Sequence, residues 1–333
     1  MTDPKQTTSG EDSLIARYFR PLATAPGAFG LVDDAAILQA GGGEIVVTTD
    51  AIVEGVHFFP DDPPDTIARK ALRVNLSDLA AKGASPAGFV LTLALRTQDD
   101  DWLAPFARAL GEDAGLFGCP LLGGDTVSTP GPVMISVTAF GRVAPGKMVR
   151  RSGAAPGDRI VVTGTIGDAA LGLEILKGGA VATALARDAA ASQMLVGRYR
   201  VPQPRNALAQ AVGDHASAAM DVSDGLAGDL AKLCAASQVS AVIDAQSIPL
   251  SAPAAVLLAE GTAGIEAIVS GGDDYEILCA IPEAGFTAFA QAARLAGVAV
   301  TSIGSVISGT SVPRFLDTKG SQIALKRLSY SHF

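Results

Sequence analysis

The chain has 333 residues, 48% of them hydrophobic and 5% aromatic, enough apolar content for two ordinary cores. Its 34 acidic residues outnumber 25 Lys and Arg, and the net charge of −9 argues against general nucleic-acid binding or an anionic membrane surface as partner. The polar start MTDPKQTTSGEDS has no apolar h-region, no run of 18 apolar residues is free of charges or breakers, and Cys119, Cys234 and Cys279 stand far apart without metal-type spacing. A cytoplasmic chain with its cysteines buried as small hydrophobes is expected.

In chain order the periodicity predicts a helix over Asp12–Leu22, a strand over Glu44–Asp50, a helix over Asp65–Ala81, a strand over Gly88–Leu95 and a helix over Asp100–Leu116. Trp102 falls within the last of these, on an amphipathic pattern that reads as packing. A strand follows at Val133–Val143. The second half is expected to hold strands at Asp158–Gly164, Ser240–Asp244 and Glu276–Ile281, and helices at Asp168–Leu176, Pro204–His215, Asp224–Ala236 and Glu283–Ala296. Strands and helices mix without a strict βαβ rhythm, so the fold class is mixed α/β (α+β) rather than a simple parallel sheet. The segment Ala144–Asp158, rich in Pro, Gly and basic residues, divides the chain into expected domains 1–148 and 149–333.

Gly141–Lys147 matches the G-x(4)-G-K of a P-loop, but Met148 stands where Mg²⁺ needs a hydroxyl, and Gly153, Pro156 and Gly157 leave no helix to receive phosphate. The informative feature is instead the placement of aspartates beside Gly, Ser and Thr. Asp33 and Asp34 follow Gly30, Asp50 follows Thr48 and Thr49, and Asp125 follows Gly123 and Gly124. Asp221 and Asp224 frame Ser223, and Asp273 and Asp274 follow Gly271 and Gly272. Singly, each fits a turn or a helix cap; Asp224 before Leu226, Leu230 and Leu233 is an example. As a set they read as a site. Ile67, Ala71, Val74 and Asp78 share one helix face, which places Asp78 on the apolar side, and Asp221 and Ser223 at a strand end project together. Oxygen donors without His or Cys ligands suit a hard cation such as Mg²⁺, which mediates between carboxylates and phosphates. Lys70, Arg142, Arg150 and Arg151 are candidate phosphate contacts. The pattern reads as a Mg²⁺-dependent nucleotide enzyme without a P-loop.

These motifs resemble the thiamine-monophosphate kinase family, within the ATP-binding superfamily that includes aminoimidazole ribonucleotide synthetase and selenophosphate synthetase. The markers run in order through Val32–Leu38, Thr48–Phe58, Lys70–Ala84, Gly123–Thr126, Arg151–Asp158, Val162–Leu173, Asp221–Leu230 and Ser270–Leu278. The resemblance implies transfer of the ATP γ-phosphoryl group to thiamine monophosphate, giving thiamine diphosphate and ADP, with several Mg²⁺ ions. By matching positions it implies metal ligation by Asp34, Thr48, Thr49, Asp50, Asp78, Asp125, Asp221 and Asp224, with Asp50, Asp125 and Asp224 nearest the chemistry. It implies ATP contacts at Gly124, Asp125, Arg151 and Ser223, and substrate contacts at His57 and Asp273. It further implies two α/β domains and a homodimer in which N-terminal strands of two copies pair into a β-barrel.

The sequence departs from the family pattern at four places. Val32 replaces a Gly, Lys82 replaces a Met, and Asp273 is one methylene shorter than the usual Glu. Arg327 stands where some members carry a Trp, which leaves Tyr330 or another group to stack on the thiamine ring. Other readings are a different enzyme of the superfamily or a nucleotide or thiamine-phosphate sensor without turnover. The selenophosphate synthetases and hydrogenase-maturation dehydratases commonly use a terminal Cys or selenocysteine, whereas here the first Cys is Cys119 and the tail ends Ser-His-Phe. The retained aspartates argue against a sensor.

Overall fold

A computed structural model describes residues 13–31, 38 and 41–329. The chain divides into two compact units, residues 1–75 with 86–142 and residues 76–85 with 143–333. Among the described residues no helix is long and apolar enough to cross a membrane.

The first unit is organised by a four-stranded sheet of β1 (Glu44–Val53), β2 (Ser85–Leu95), β3 (Leu121–Ser128) and β4 (Met134–Val143), in the order β1-β4-β2-β3. Strand β4 shows the period of two expected of a half-buried strand: Ile135, Val137 and Ala139 are buried and their neighbours half-exposed. Helix α1 (Pro64–Ala81) crosses the boundary between units, and α2 (Asp100–Leu116) lies wholly in the first. The buried stripe of α2 is Leu103, Phe106, Ala107, Leu110 and Ala114, and the Asp99 carboxylate caps its N-terminus by accepting from Asp101 N–H at 3.0 Å. Trp102 stacks on Phe106 one turn along, with ring centroids 4.7 Å apart, a packing role.

The second unit holds a six-stranded sheet of β5 (Arg159–Thr163), β6 (Ala218–Asp221), β7 (Ser240–Asp244), β8 (Ile277–Ile281), β9 (Val300–Ile307) and β10 (Arg314–Leu316), in the order β10-β7-β9-β5-β8-β6. Its pairs are antiparallel except β10 with β7. Its helices are α3 (Asp168–Leu176), α4 (Ala180–Ala184), α5 (Ala189–Arg200), α6 (Ala209–His215), α7 (Leu226–Ser237), α8 (Ala252–Ala259), α9 (Ile265–Val269) and α10 (Glu283–Leu295). Both faces of this sheet are covered. Ile160, Val162, Ala218, Met220, Leu278 and Ala280 pack on Leu226, Leu230 and Leu233 of α7. The alternate residues Val161, Ala219, Ile277, Cys279 and Ile281 pack on Val212 of α6 and Phe289 of α10. All three cysteines are buried thiols, pushed by burial up to about 12, about 11 and about 12 for Cys119, Cys234 and Cys279.

Several expected boundaries shift for identifiable reasons. Strand β1 runs on to Val53, so Asp50 lies in mid-strand rather than at its end. Strand β3 falls where the periodicity predicts no strand; a Cβ at Gly124 would sit 1.9 Å from Leu91 O, so the close approach of β2 demands glycine. Strand β9, also not predicted, contains Gly304 for the same reason, its Cβ position lying 2.1 Å from Val242 O. The described part of the expected Asp12–Leu22 helix narrows into a π-type turn (Ile15–Phe19) and a 3₁₀ turn (Arg20–Leu22), because Pro21 lacks the N–H that would continue it. The Pro204–His215 helix divides into a 3₁₀ turn at Asn206–Leu208 and α6. Gly141–Lys147 closes β4 and turns, with no helix after it, as the P-loop argument expects.

An ionic cluster ties α1 to α2 within the first unit. Asp113 is fully buried and accepts from Arg73 Nε at 2.6 Å and Nη2 at 2.9 Å, and Arg69 pairs with the same carboxylate. Removing it deletes the buried carboxylate that the Arg69 and Arg73 guanidinium groups share. Asp113→Ala should therefore lower stability by about 3–5 kcal/mol, read as a shift in the urea midpoint; an unchanged midpoint would show that water replaces the carboxylate.

Candidate active site

In the first unit the candidate residues lie on the outer strands of the sheet. Thr48, Thr49 and Asp50 are consecutive on β1, and strand alternation places Thr49 on the opposite face from Thr48 and Asp50. The Thr49 hydroxyl donates to Val137 O at 3.1 Å and accepts from Thr138 Oγ1 at 3.0 Å. Asp50 is exposed, and its backbone N–H donates to the buried Asn75 Oδ1 at 2.9 Å. Gly124 and Asp125 are exposed on β3, with Asp125 opposite Thr92 of β2. Strand β1, which carries Asp50, and strand β3, which carries Asp125, are at opposite edges of the sheet, about 14 Å apart across three inter-strand spacings. The sequence places Asp50 at a strand end and predicts no strand around Asp125; the structure puts both within edge strands. His57 follows β1 in a turn. Its Nδ1 accepts from Val53 N–H at 3.0 Å, and its carbonyl accepts from Lys70 Nζ at 2.9 Å. Asp34 lies outside the described residues.

The second unit carries the remaining candidates on α1 and two hydrogen-bonded loops. From Lys70 to Ala81 the helix is buried on every side except at Asp78, which is half-buried. The expectation that Asp78 shares a distinct apolar face is thereby corrected: this stretch has no solvent-exposed face for an apolar one to oppose, and Lys70, Arg73, Asn75 and Ser77 are buried within it. Lys82, four residues on, donates from Nζ to Ala219 O at 2.8 Å. Burial and then Arg151 hold its pKa below the usual lysine value, against the pull of Asp221 and Asp78. Asp221 ends β6 and is buried, while Ser223 lies beyond the strand, so the two do not share a strand face as expected. Arg151 is exposed; its loop is held by Ser237, whose hydroxyl donates to Arg151 O and accepts from the N–H groups of Gly153 and Ala154.

Asp224 is not a helix cap. Helix α7 starts at Leu226 after Gly225, whose φ of 109° suits glycine, and Asp224 Oδ2 instead pairs with Lys232 Nζ at 2.5 Å. The loop before α7 hangs on Asp229, a fully buried carboxylate of the same helix that the sequence does not single out. Its Oδ2 accepts from Ser223 N–H and Asp224 N–H, each at 3.0 Å. The facing loop is zipped to this one: Asp273 N–H donates to Ser223 O and Tyr275 N–H to Val222 O. Asp273 (φ 64°) and Tyr275 (φ 50°) both adopt left-handed backbone, strain that these bonds and their neighbours hold in place. Asp274 between them is buried and accepts from Gly167 N–H at 2.8 Å, burial pushing its carboxyl well above the usual range. Glu276 accepts from Arg198 Nη2 at 2.7 Å, Arg205 Nε at 2.6 Å and Thr163 Oγ1 at 2.6 Å. Arg327, where a ring-stacking Trp is found in some relatives, is exposed beside Lys326, with its N–H on Glu266 Oε1 at 3.0 Å; Tyr330 lies outside the described residues.

Among the described residues no three His, Cys, Asp or Glu side chains gather into a metal-holding cluster. The donor set is nonetheless of the type a hard cation takes. Its groups are oxygens only, and an ammonium already lies against the carboxylates: Lys232 on Asp224 and Asp229. A Mg²⁺ ion that keeps waters and takes phosphate oxygens needs only one or two of these carboxylates at a time, so the residues present fit it.

Comparison with known proteins follows this architecture. Residues 32–143 match the family model for the AIR synthase related protein N-terminal domain, and residues 155–315 that for its C-terminal domain. The class is thus a two-domain AIR-synthase-related α/β protein. The chain is 44% identical to the thiamine-monophosphate kinase of Caulobacter vibrioides over 324 residues, 96% of this chain and 89% of that one. The solved thiamine-monophosphate kinase of Stenotrophomonas maltophilia K279a superposes with a TM-score of 0.82 at 37% identity, covering 94% of this chain and 96% of the other. The AaThiL complex with AMPPCP and TMP superposes with a TM-score of 0.76 at 27% identity, covering 92% and 97%. The chain belongs to the thiamine-monophosphate kinase family.

The Asp229 anchor generates a test of the loop. Asp229→Ala leaves two half-buried N–H groups without their carboxylate acceptor, and stability should fall by about 1–3 kcal/mol, with Asp229→Asn losing less because one acceptor oxygen remains. Thermal denaturation of both variants reads this; equal losses would mean that the carboxylate charge, rather than acceptance by a single oxygen, anchors the loop.

Proposed function

We propose that this chain transfers the γ-phosphoryl group of ATP to thiamine monophosphate, forming thiamine diphosphate and ADP by direct in-line displacement that depends on Mg²⁺. The observation that carries the reading is near-full-length identity of 44% to a thiamine-monophosphate kinase, joined to a relative that binds AMPPCP and TMP together. The acceptor is a phosphate monoester, largely dianionic at neutral pH, so no general base is required and catalysis rests on positioning two anions and offsetting their repulsion. When bound, Mg²⁺ supplies that offsetting charge.

In this reading Thr48, Thr49, Asp50 and Asp125 of the first unit, with Asp34, and Asp78, Asp221 and Asp224 of the second are the ligand set. Gly124, Asp125, Ser223 and Arg151 receive ATP, with Arg151 an exposed cation for phosphate. His57 and Asp273 meet the substrate. With Nδ1 accepting from Val53, a neutral His57 ring carries its proton on Nε2, so that atom is a donor, the polarity a phosphate oxygen requires. The chain acts in the cytoplasm, with no nucleic-acid or membrane partner. A homodimer joined through β1 and β3 accounts for two features: these edge strands expose Val47 and Val127, and Asp50 and Asp125 sit on opposite edges. A second copy with β1 against β3 brings the two aspartates together.

Purified protein with ATP, Mg²⁺ and thiamine monophosphate should yield thiamine diphosphate, with turnover abolished by a chelator. Binding of thiamine monophosphate without turnover would favour a sensor, and a trapped phosphoenzyme would refute direct transfer. Asp50→Ala and Asp125→Ala should each lose turnover while staying dimeric. Co-expressed, the two variants should recover about a quarter of wild-type rate, because half the dimers are mixed and one of their two sites is intact; no recovery would place both aspartates in one subunit's site. Arg151→Ala should raise the KM for ATP about tenfold, the worth of one charge-assisted contact, with KM for thiamine monophosphate unchanged; an unaltered ATP response removes Arg151 from the nucleotide site.

A further inference from the structure

Lys232 lies two turns along α7 from Asp224, with its ammonium 2.5 Å from Asp224 Oδ2 and 2.8 Å from Asp229 Oδ1. The two carboxylates it touches differ in freedom. Asp229 is fully buried, and its second oxygen is committed to the N–H groups of Ser223 and Asp224, so it must stay where it is to hold the loop. Asp224 has no such anchor in its side chain: it is 36% exposed, and Lys232 is 41% exposed, so solvent reaches their pair. An ion pair of this exposure is weak and opens readily.

We propose that Lys232 is a resident counter-cation of Asp224 that a divalent metal ion displaces, the ammonium remaining on Asp229 as Asp224 turns to the metal. This rests on the reading of Asp224 as a metal ligand. The charge balance favours the exchange. Without a metal, the segment Asp221–Asp229 concentrates three carboxylates, and Lys232 offsets part of their repulsion and keeps the loop in its bonded form. With a metal present, an ammonium and a divalent cation cannot share one carboxylate oxygen at contact distance without strong repulsion. Lys232 therefore lowers the metal affinity of Asp224 while preserving the loop that presents it. Loading then becomes a competition between two cations for one carboxylate.

Mn²⁺ binding, followed by electron paramagnetic resonance without nucleotide, tests the idea on the intact protein. Lys232→Met should bind Mn²⁺ about fivefold tighter than wild type, the worth of a half-exposed ion pair, whereas Lys232→Arg, which keeps the charge, should not. In wild-type protein, amine-selective labelling of Lys232 read by mass spectrometry should speed severalfold when Mn²⁺ is added. In Asp224→Asn the labelling should be fast with or without the metal. The labelling experiment decides the matter alone if Lys232→Met does not fold. Wild-type protein that binds no Mn²⁺ would overturn the assignment of Asp224 as a ligand. Binding with unchanged Lys232 labelling would leave that assignment standing and overturn the displacement.

Discussion

A carboxylate stripped of water must be satisfied by protein donors, and the candidate site of the second unit depends on this constraint. Asp229, Asp274 and Glu276 are buried, and each is held by backbone N–H groups or by cationic and hydroxyl partners: Ser223, Asp224 and Lys232 for the first, Gly167 for the second, Arg198, Arg205 and Thr163 for the third. These buried acids fix the backbone of two facing loops, and those loops carry the more exposed acids Asp224 and Asp273. Rigid presentation of a soluble carboxylate is thus obtained from an insoluble one a few residues away. The left-handed backbone at Asp273 and Tyr275 persists because the bonds to Ser223 and Val222 leave those residues no relaxed alternative.

The first unit works under a different constraint. Its sheet ends in two long edge strands, and the acids of interest are on those edges, exposed. An open edge with apolar side chains such as Val47 and Val127 is a pairing surface, so the same strands that carry Asp50 and Asp125 also invite a partner strand. Acid placement and edge exposure are therefore one feature seen twice. This is the physical ground on which a dimer and the chemistry are proposed together.

The legible parts of the fold were those whose signal is local. Helix α2, helix α3 and strand β7 fall on the expected residues because their periodicity, caps and β-branched content all agree. Strands β3 and β9 were hidden because each contains a glycine whose need is set by a neighbouring backbone, Leu91 O in one and Val242 O in the other. Strand β6, Ala-Ala-Met-Asp, has no strand propensity of its own and exists because β8 pairs with it. In the candidate site, the aspartates were visible as a recurring pattern beside Gly, Ser and Thr. Asp229 and Ser237 were not, since a single acid or hydroxyl in a helix acquires meaning only from the loop folded against it. Asn75, which fixes the Asp50 backbone, was equally silent.

The amino-acid sequence by itself determined the class of the protein, its acidic oxygen chemistry and the order of its motifs, because these reside in residue identity and short spacing. The tertiary structure decided which acids serve as anchors and which are presented, that Asp50 and Asp125 occupy opposite edges of one sheet, and that Lys232 is already bound to Asp224. Those decisions depend on burial and on contacts between residues far apart in the chain. A carboxylate's desolvation, and the partner that compensates it, are properties of the folded surroundings and have no counterpart in the local sequence.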